Sequence, residues 1–242
     1  MKIDVTFLPD EAADYKLKTV IIIDVLRASS TIVTAFSNGC KSIITKPDIK
    51  SARKYKDSDP EILLGGERKG LKVDGFDLGN SPLEYAKQVV KNKNLVLTTT
   101  NGTKAVESAR YAKNILIGCF LNLESVVKSA LDYEDDIIIL CAGSDGRFSL
   151  EDTFCAGLML REITTMNKTI TLEDGAFFTF KAFKQIITNE SQTTNTGIFK
   201  IISQTRHGKR LQSLNFFEDL KYCARLNQLS IVPKLSGGKF II

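Results

Sequence analysis

Carboxylates and arginines recur in this chain at points where apolar runs end. Asp24 and Arg27 follow one such run, Glu67 and Arg68 follow a pair of glycines, and Asp145 and Arg147 follow another apolar run. A carboxylate can hold a hard cation, whereas an arginine beside the N–H groups of a helix N-terminus can hold an oxyanion. Together these residue types indicate a site for a small anionic ligand.

The stretch 19–34, TVIIIDVLRASSTIVT, is the one around which the other elements are organised. Its β-branched run is typical of a strand buried on both faces, and it is too short to span a membrane. Ser29, Ser30 and Thr31 can cap the helix that follows, and they can also bind an anion. The simpler alternative is a capped helix with a structural Asp24–Arg27 pair.

Two further strand ends carry polar turns. The first is TTNGT, whose Asn101, Gly102 and Thr103 are candidates for substrate binding; a tight turn with a Thr cap is the alternative. The second, AGSDGRFSLED, holds Asp145 and Arg147.

A third candidate segment is GGERKG, where Gly65 and Gly66 let the backbone approach a ligand closely and Glu67, Arg68 and Lys69 follow. A solvated charge run is the alternative. Mg²⁺ binds through one or two carboxylates, waters and substrate phosphate. We expect the metal ligands among five carboxylates: Asp24, Glu67, Asp145, Glu151 and Asp152. Glu151 and Asp152 can alternatively serve only to favour a helix N-terminus.

The apolar runs alternate with helical patterns, which predicts an α/β fold with a largely parallel sheet flanked by helices and built from repeated strand–turn–helix units. Because parallel strands present their carboxyl ends at one edge, Asp24, Asn101 and Asp145 should meet there. Residues 65–82 read as an ordered loop, followed by a helix to about Lys91.

The last third is helix-rich, with an aromatic helix over 176–187 and short strands at 231–232 and 239–242. The phenylalanines of that helix are expected in the core or at a subunit interface. We expect one α/β domain over 1–242, or two closely packed lobes of about 1–130 and 131–242.

Composition narrows the function further. The 242 residues carry a formal charge of +5 that is scattered, apart from a brief basic cluster at 206–210, and Trp is absent. Nucleic-acid binding is therefore weakly supported, and a small anionic substrate suits the charge equally well. No membrane span or signal-type segment is seen, and five widely spaced cysteines indicate reduced thiols in the cytoplasm. The single His207 excludes a multi-histidine metal site.

Five strings in order, IDVLRASSTI, GGERKG, GFDLGNSP, TTTNGTKA and CAGSDGRFSLEDTFCAG, resemble the 2-phosphosulfolactate phosphatase family, as does the tail HGKRL…EDLKYCARLNQLSIVP. The resemblance covers nearly the whole chain. It implies a magnesium-dependent hydrolase that converts (2R)-phospho-3-sulfolactate to 3-sulfolactate and phosphate in coenzyme M biosynthesis. We further expect a homo-oligomer, with a dimer favoured.

Chemistry, rather than the resemblance, assigns the roles. Asp24, Arg27, Glu67 and Asp145 are the expected catalytic groups, and Arg27 also binds substrate. The other expected substrate contacts are Ser29, Ser30, Thr31, Arg68, Asn101, Gly102, Thr103 and Arg147.

Asp24 is favoured as a metal ligand or base over a covalent nucleophile, because Leu26 stands where the DxDxT string of aspartyl phosphatases has its second Asp. Two rivals stay open: a phosphatase for another phosphorylated hydroxy acid, and a non-catalytic anion-binding α/β protein.

Overall fold

The structure is a computed structural model, and it describes residues 1–166, 169–187 and 189–242. Strands make up the centre of the molecule. Within the described residues they are β1 (Lys2–Thr6), β2 (Thr19–Ile23), β3 (Ser42–Thr45), β4 (Leu63–Arg68), β5 (Leu71–Lys72), β6 (Asn94–Thr98), β7 (Asn114–Gly118), β8 (Ile137–Cys141), β9 (Thr171–Leu172), β10 (Lys234–Ser236) and β11 (Lys239–Ile241).

Helices cover both faces of these strands. In the same part of the chain they are α1 (Ala28–Ser37), α2 (Ile49–Ser58), α3 (Lys87–Val90), α4 (Gly102–Ser108), α5 (Leu123–Leu131), α6 (Leu150–Met166), α7 (Asp174–Ile186), α8 (Asn195–Gln204), α9 (Arg206–Ser213) and α10 (Phe217–Cys223). Short 3₁₀ turns occur at Pro82–Glu84, Phe120–Asn122 and Glu190–Thr193.

The strands form one mixed sheet in the order β5-β4-β6-β3-β11-β10-β7-β2-β8-β1-β9. Two blocks are parallel: β4-β6-β3 on one side, and β7-β2-β8-β1-β9 on the other. The hairpin of β10 and β11 joins the blocks through antiparallel pairs with β7 and β3. The predicted α/β class with a largely parallel sheet is confirmed.

The central strand β2 shows why the sheet lies between two cores. Ile21 and Ile23 pack into a core with α5, α6 and α7, whereas Val20 and Ile22 pack into a second core with α1 and α4. Successive side chains of a strand point to opposite faces, so an uninterrupted β-branched run supplies both cores. This packing fixes the position at which β2 ends, immediately before Asp24.

The prediction of a loop over 65–82 is wrong in its first part. Residues up to Arg68 extend strand β4, and β5 pairs back on it as a hairpin. The two glycines are needed for packing: a Cβ on Gly65 would lie 2.2 Å from the Tyr85 hydroxyl, and one on Gly66 would lie 2.2 Å from the Thr98 carbonyl oxygen. Close approach to neighbouring protein atoms, and not to a ligand, therefore explains this glycine pair.

Other boundaries also differ from the sequence predictions. The helix expected from Pro82 to about Lys91 is a 3₁₀ turn followed by the four-residue α3. The strand expected at 231–232 instead forms three residues later, as β10. In α7, Phe183 is buried, but Phe177 and Phe178 are exposed, so the aromatic helix contributes only partly to the core.

Candidate functional site

A pocket of about 420 Å³ lies where β2, β4, β6 and β8 end, and it is open to solvent. The strand ends come from both parallel blocks, although the hairpin makes the blocks run in opposite directions. Neighbouring strands of a sheet are rotated by roughly 20–25° relative to each other, so strands that are many positions apart differ widely in direction. This twist allows strand ends from both blocks to meet at one pocket. The pocket is lined by Asp24, Leu26, Arg27, Glu67, Lys69, Gly70, Asn80, Thr99, Thr100, Asn101, Ser144, Asp145, His207 and Arg210.

Asp24 is the most buried acid of this pocket, with 5% of its surface exposed. Its Oδ1 accepts a 3.3 Å hydrogen bond from the N–H of Ala28. Its Oδ2 accepts none from the described residues. Burial raises the pKa of Asp24 to about 6, and the nearby charges of Glu67 and Glu151 act in the same direction. A buried carboxylate of this kind costs folding free energy, and ionisable groups with shifted pKa values are common at functional sites.

Glu67 lies beside Asp24 and is held by the backbone on two sides. Its Oε1 accepts from the N–H of Thr100 at 2.8 Å, and its Oε2 accepts from the N–H of Gly70 at 2.7 Å. The carboxylate is thus fixed between the β4–β5 turn and the turn after β6, with 7% exposure. Such fixed geometry suits a group that must hold a ligand in place.

Arg27 also lines the pocket, but its ionic partner is Asp219 of α10, at 2.6 Å. Its Nη2 donates to the Gly70 carbonyl oxygen at 2.7 Å, and its guanidinium lies 4.1 Å from the centre of the Phe216 ring. The alternative of a structural Asp24–Arg27 pair is therefore wrong. A buried ion pair with further hydrogen bonds orients this arginine between the two halves of the chain.

The turn after β8 brings Asp145 to the pocket rim, where half of its side chain is exposed. Its backbone N–H donates to Asn101 Oδ1 at 3.1 Å, so two of the predicted strand ends contact each other directly. Arg206 and Arg210 of α9 approach its carboxylate at 3.6 and 3.5 Å. The expected meeting of Asp24, Asn101 and Asp145 is thus confirmed.

Glu151 and Asp152, both predicted as metal ligands, are buried at the start of α6 and do not line the pocket. Asp152 Oδ1 accepts from the Val25 N–H at 2.9 Å. Burial, and then the charges of Asp24 and Glu151, raise the pKa of Asp152 well above its ordinary value. Burial also pushes the pKa of Glu151 upward, but contact with His207 outweighs it and the pKa is lowered.

The hydroxyl residues after β2 use their side chains within the protein. Ser29 Oγ accepts from the Asp24 N–H at 2.9 Å, Ser30 Oγ donates to the Val25 carbonyl, and Thr31 Oγ1 donates to the Asn80 carbonyl. They lie inside α1, whose N-cap position is Arg27 without a side-chain cap bond, so the expectation that they cap this helix is wrong. These bonds hold the backbone around Asp24.

Four other predicted substrate contacts also lie outside the pocket lining. Arg68 donates to the Glu67 and Pro47 carbonyls and to Thr98 Oγ1. Thr103 Oγ1 donates to the Thr99 carbonyl at 2.7 Å, and Arg147 is exposed. A Cβ on Gly102 would lie 2.9 Å from Asp24 Oδ2, so this glycine gives the carboxylate room.

Nine lining residues were not among the predicted site residues, and four of them matter below: Lys69, which lies in the candidate segment GGERKG, and Asn80, His207 and Arg210. Asn80 Oδ1 is buried and has no hydrogen-bond partner among the described residues. His207 Nδ1 lies 3.4 Å from Glu151 Oε1. The basic cluster at 206–210, which contains the only histidine of the sequence, could have indicated the pocket, but it was considered only as evidence for nucleic-acid binding.

The carboxylates do not form a preassembled metal cluster. Across the described residues, no group of three or more His, Cys, Asp or Glu side chains is placed to hold a metal ion. Asp24 and Glu67 nevertheless suit the demands of Mg²⁺, which takes only one or two carboxylates when waters and a phosphate complete its shell.

An α/β sheet whose strand ends meet around a pocket lined by acids and bases defines an enzyme-type site for a small anionic ligand. The particular family follows from sequence comparison. The family model described as 2-phosphosulpholactate phosphatase matches residues 6–238. The chain belongs to this family, which confirms the resemblance.

Curated relatives match over the full length. A protein of Clostridium acetobutylicum is 37% identical over 100% of both chains, and one of Clostridium kluyveri is 39% identical over 98% of this chain and 96% of its own. A protein of Clostridium botulinum (strain Eklund 17B / Type B) is 38% identical over 100% and 99%. Each of them is named "Probable 2-phosphosulfolactate phosphatase".

No helix in the described ranges is both long enough and apolar enough to cross a membrane.

Proposed function

We propose that this protein is a magnesium-dependent phosphatase that hydrolyses (2R)-phospho-3-sulfolactate to 3-sulfolactate and phosphate, in the branch that leads to coenzyme M. Family membership and the names of the relatives support the reaction. The pocket supports it independently, because acidic and basic side chains line the same solvent-open pocket.

The observation that carries the proposal is Asp24. Its carboxylate is buried in the pocket, and its Oδ2 accepts no hydrogen bond from the described residues. A buried carboxylate in this state requires a proton or a cation, which is why its pKa is raised to about 6. Glu67 differs, because each of its carboxylate oxygens accepts a hydrogen bond from a backbone N–H group that fixes its position.

Asp24 and Glu67 are the residues that would hold Mg²⁺, and Asp145 lies at the rim of the same pocket. When bound, the ion would neutralise charge on the phosphoryl oxygens and lower the pKa of a bound water. Arg27, oriented by Asp219 and Gly70, has N–H groups left to donate to phosphoryl oxygens. Thr99, Thr100 and Asn101 of the turn after β6 also line the pocket, and the Thr100 N–H holds Glu67.

His207 is the proposed proton donor to the leaving group. Its Nδ1 contacts the buried Glu151, whereas its other ring nitrogen makes no hydrogen bond with the described residues. When the P–O bond to the substrate's C2 oxygen breaks, that oxygen gains an electron pair and needs a proton. The His207 ring, when it carries a proton, could supply it, as positioned acids do in many hydrolases. Water supplies the attacking oxygen and Asp24 can take up its proton; if Asp24 attacks instead, water then hydrolyses the aspartyl phosphate and releases phosphate.

A phosphate-release screen tests the proposal. (2R)-phospho-3-sulfolactate, phospholactate and phosphoglycerate would be compared with and without Mg²⁺. We expect the highest kcat/KM for the sulfonated substrate, and only with Mg²⁺. Release of phosphate from a different hydroxy acid in preference would contradict the substrate, and no release from any of them would contradict the reaction. The cytoplasmic location and the homo-oligomeric state remain predictions.

A further inference from the structure

Of the three arginines expected from the sequence, only Arg27 lines the pocket. Arg27 is neutralised by the buried Asp219, while Arg68 is engaged by protein oxygens and, like the exposed Arg147, does not line the pocket. Lys69 and Arg210 do line it. We propose that these two side chains form the subsite for the second strong-acid anion of the substrate, its sulfonate.

Lys69 and Arg210 come from distant segments and are brought together directly. Arg210 Nη2 donates to the Lys69 carbonyl oxygen at 3.0 Å. The acid nearest to Arg210 is Asp145, half exposed and 3.5 Å away, and it is shared with Arg206. Two adjacent cations with one shared, solvated carboxylate leave positive charge unneutralised, and that charge favours an anion.

The backbone at Lys69 supports a role for its side chain. Lys69 and Gly70 are the two central residues of the β4–β5 hairpin turn and have φ of 55° and 86°. Such turns strongly prefer Asn, Asp or Gly at these positions, because positive φ is unfavourable for other side chains. Lysine is a poor choice for the turn itself, so its presence is better explained by the pocket that it faces.

A second observation concerns Asn80, another residue that lines the pocket. Asn80 is 5% exposed, its Oδ1 is buried and unpartnered among the described residues, and it lines the same pocket. Its backbone carbonyl accepts from Thr31 Oγ1 at 2.9 Å, which holds the residue in place. A buried amide oxygen without a donor costs free energy, and because a sulfonate only accepts hydrogen bonds, a water bound between the two groups would have to supply the donor.

The substrate's own shape assigns the sulfonate to this wall. The phosphate and carboxylate are attached at C2, and the sulfonate is attached at C3, farther from the reacting phosphorus. Asp24 and Glu67, which surround the proposed reaction centre, are buried, whereas Lys69 is exposed and 41% of the Arg210 side chain is exposed. A permanently ionised, strongly hydrated sulfonate suits this open end. This assignment rests on the proposed function of the same pocket.

The test compares Lys69→Gln and Arg210→Gln with Lys209→Gln, an exposed lysine adjacent to Arg210 on α9 that does not line the pocket. Each protein is assayed on (2R)-phospho-3-sulfolactate and on phospholactate, which lacks the sulfonate. We expect kcat/KM on the sulfonated substrate to fall about tenfold or more in the two pocket variants, as when a charge loses its partner. The value on phospholactate should change by less than about threefold, and Lys209→Gln should match the wild type on both.

Equal losses on both substrates, or no loss, would overturn the assignment while the proposed function stands. If the wild type releases no phosphate from either substrate, the proposed function fails, and the subsite is judged by calorimetry with 3-sulfolactate and lactate. In that titration, weaker binding of 3-sulfolactate alone to Arg210→Gln supports the subsite. Unchanged binding contradicts it.

Discussion

The pocket is built from two regions that treat their charges in opposite ways. At the β2–α1 junction, Asp24 and Arg27 are almost fully buried, and Arg27 is paired with another buried charge. On α9, Arg210 and Lys209 are exposed and Arg210 has only a loose carboxylate contact. The buried junction fixes Asp24 and Arg27 in place, whereas α9 presents exposed cations and, in the proposed function, the proton donor His207.

The two regions should also differ in their effect on stability. Burial raises the pKa of both Asp24 and Asp152, so their ionised forms oppose folding. Exposed charges such as Lys209 contribute little in either direction. The buried carboxylates at and beside the junction therefore lower the free energy of unfolding, whereas the exposed charges of α9 change it little.

The largest expected effect is the loss of the metal. In EDTA, phosphate release should fall to background and return with Mg²⁺, because in the proposed function Asp24 and Glu67 hold the ion that neutralises the phosphoryl oxygens. A steady-state phosphate assay measures this, and circular dichroism on the same samples controls for unfolding. Full turnover in metal-free buffer would contradict the role of the junction.

The next effect concerns the histidine of α9. His207→Gln should lower kcat by roughly 10²–10⁴-fold if the ring donates the proton to the leaving oxygen. KM should change far less, since the ring carries no substrate anion in this account. Lys209→Gln, two residues away and outside the pocket, is the matched control. A variant with normal kcat would remove His207 from the reaction.

A stability comparison sharpens the contrast between the arginines. Asp219→Asn should destabilise the fold by about 3–5 kcal/mol, because it leaves the buried Arg27 unpaired and weakens the bond from Ser81 Oγ. Arg210→Gln should change stability by no more than about 0.5 kcal/mol. Urea unfolding at pH 7 measures both changes in the free energy of unfolding. Similar decreases in the two variants would contradict the difference between the buried Arg27 and the exposed Arg210.

The smallest predicted effect is a pH dependence without magnesium. The folded pKa of Asp24, about 6, lies above the ordinary value of an aspartate, so the folded state binds the proton more tightly. Stability from this group is therefore present below about pH 4 and is lost as pH rises to about 6, by on the order of 3 kcal/mol. Asp24→Asn should lack this loss. Parallel urea curves for both proteins from pH 4 to pH 8 would contradict the buried charge.

The sequence was sufficient for the parts that local patterns determine. The β-branched run 20–23, the strand–turn–helix repeats and the carboxyl-end rule were enough to place Asp24, Asn101 and Asp145 in one site. The carboxyl-end rule alone does not explain why these residues meet, because the sheet has two parallel blocks joined by the C-terminal hairpin. No local signal in β10 or β11 shows that they insert between β3 and β7.

The long-range partners could not be derived in this way. Which arginine is free depends on Asp219, which lies 192 residues from Arg27, and on the register of β4 with its neighbours. The glycines of GGERKG, read as room for a ligand, make room for Tyr85 and Thr98. The shortest polar side chains after β2 likewise satisfy backbone groups. Local chemistry identified the candidate types, but only packing decides which of them face the pocket.

The measurement that tests the account most directly is Asp24→Asn on (2R)-phospho-3-sulfolactate with Mg²⁺. Phosphate release and melting temperature would be determined on the same preparation. We predict turnover reduced by a factor on the order of 10² or more, because a positioned charge is lost. The melting temperature at pH 7 should be equal to or above that of the wild type. A folded Asp24→Asn protein with wild-type turnover, or an active protein with a large loss of stability, would contradict the central claim.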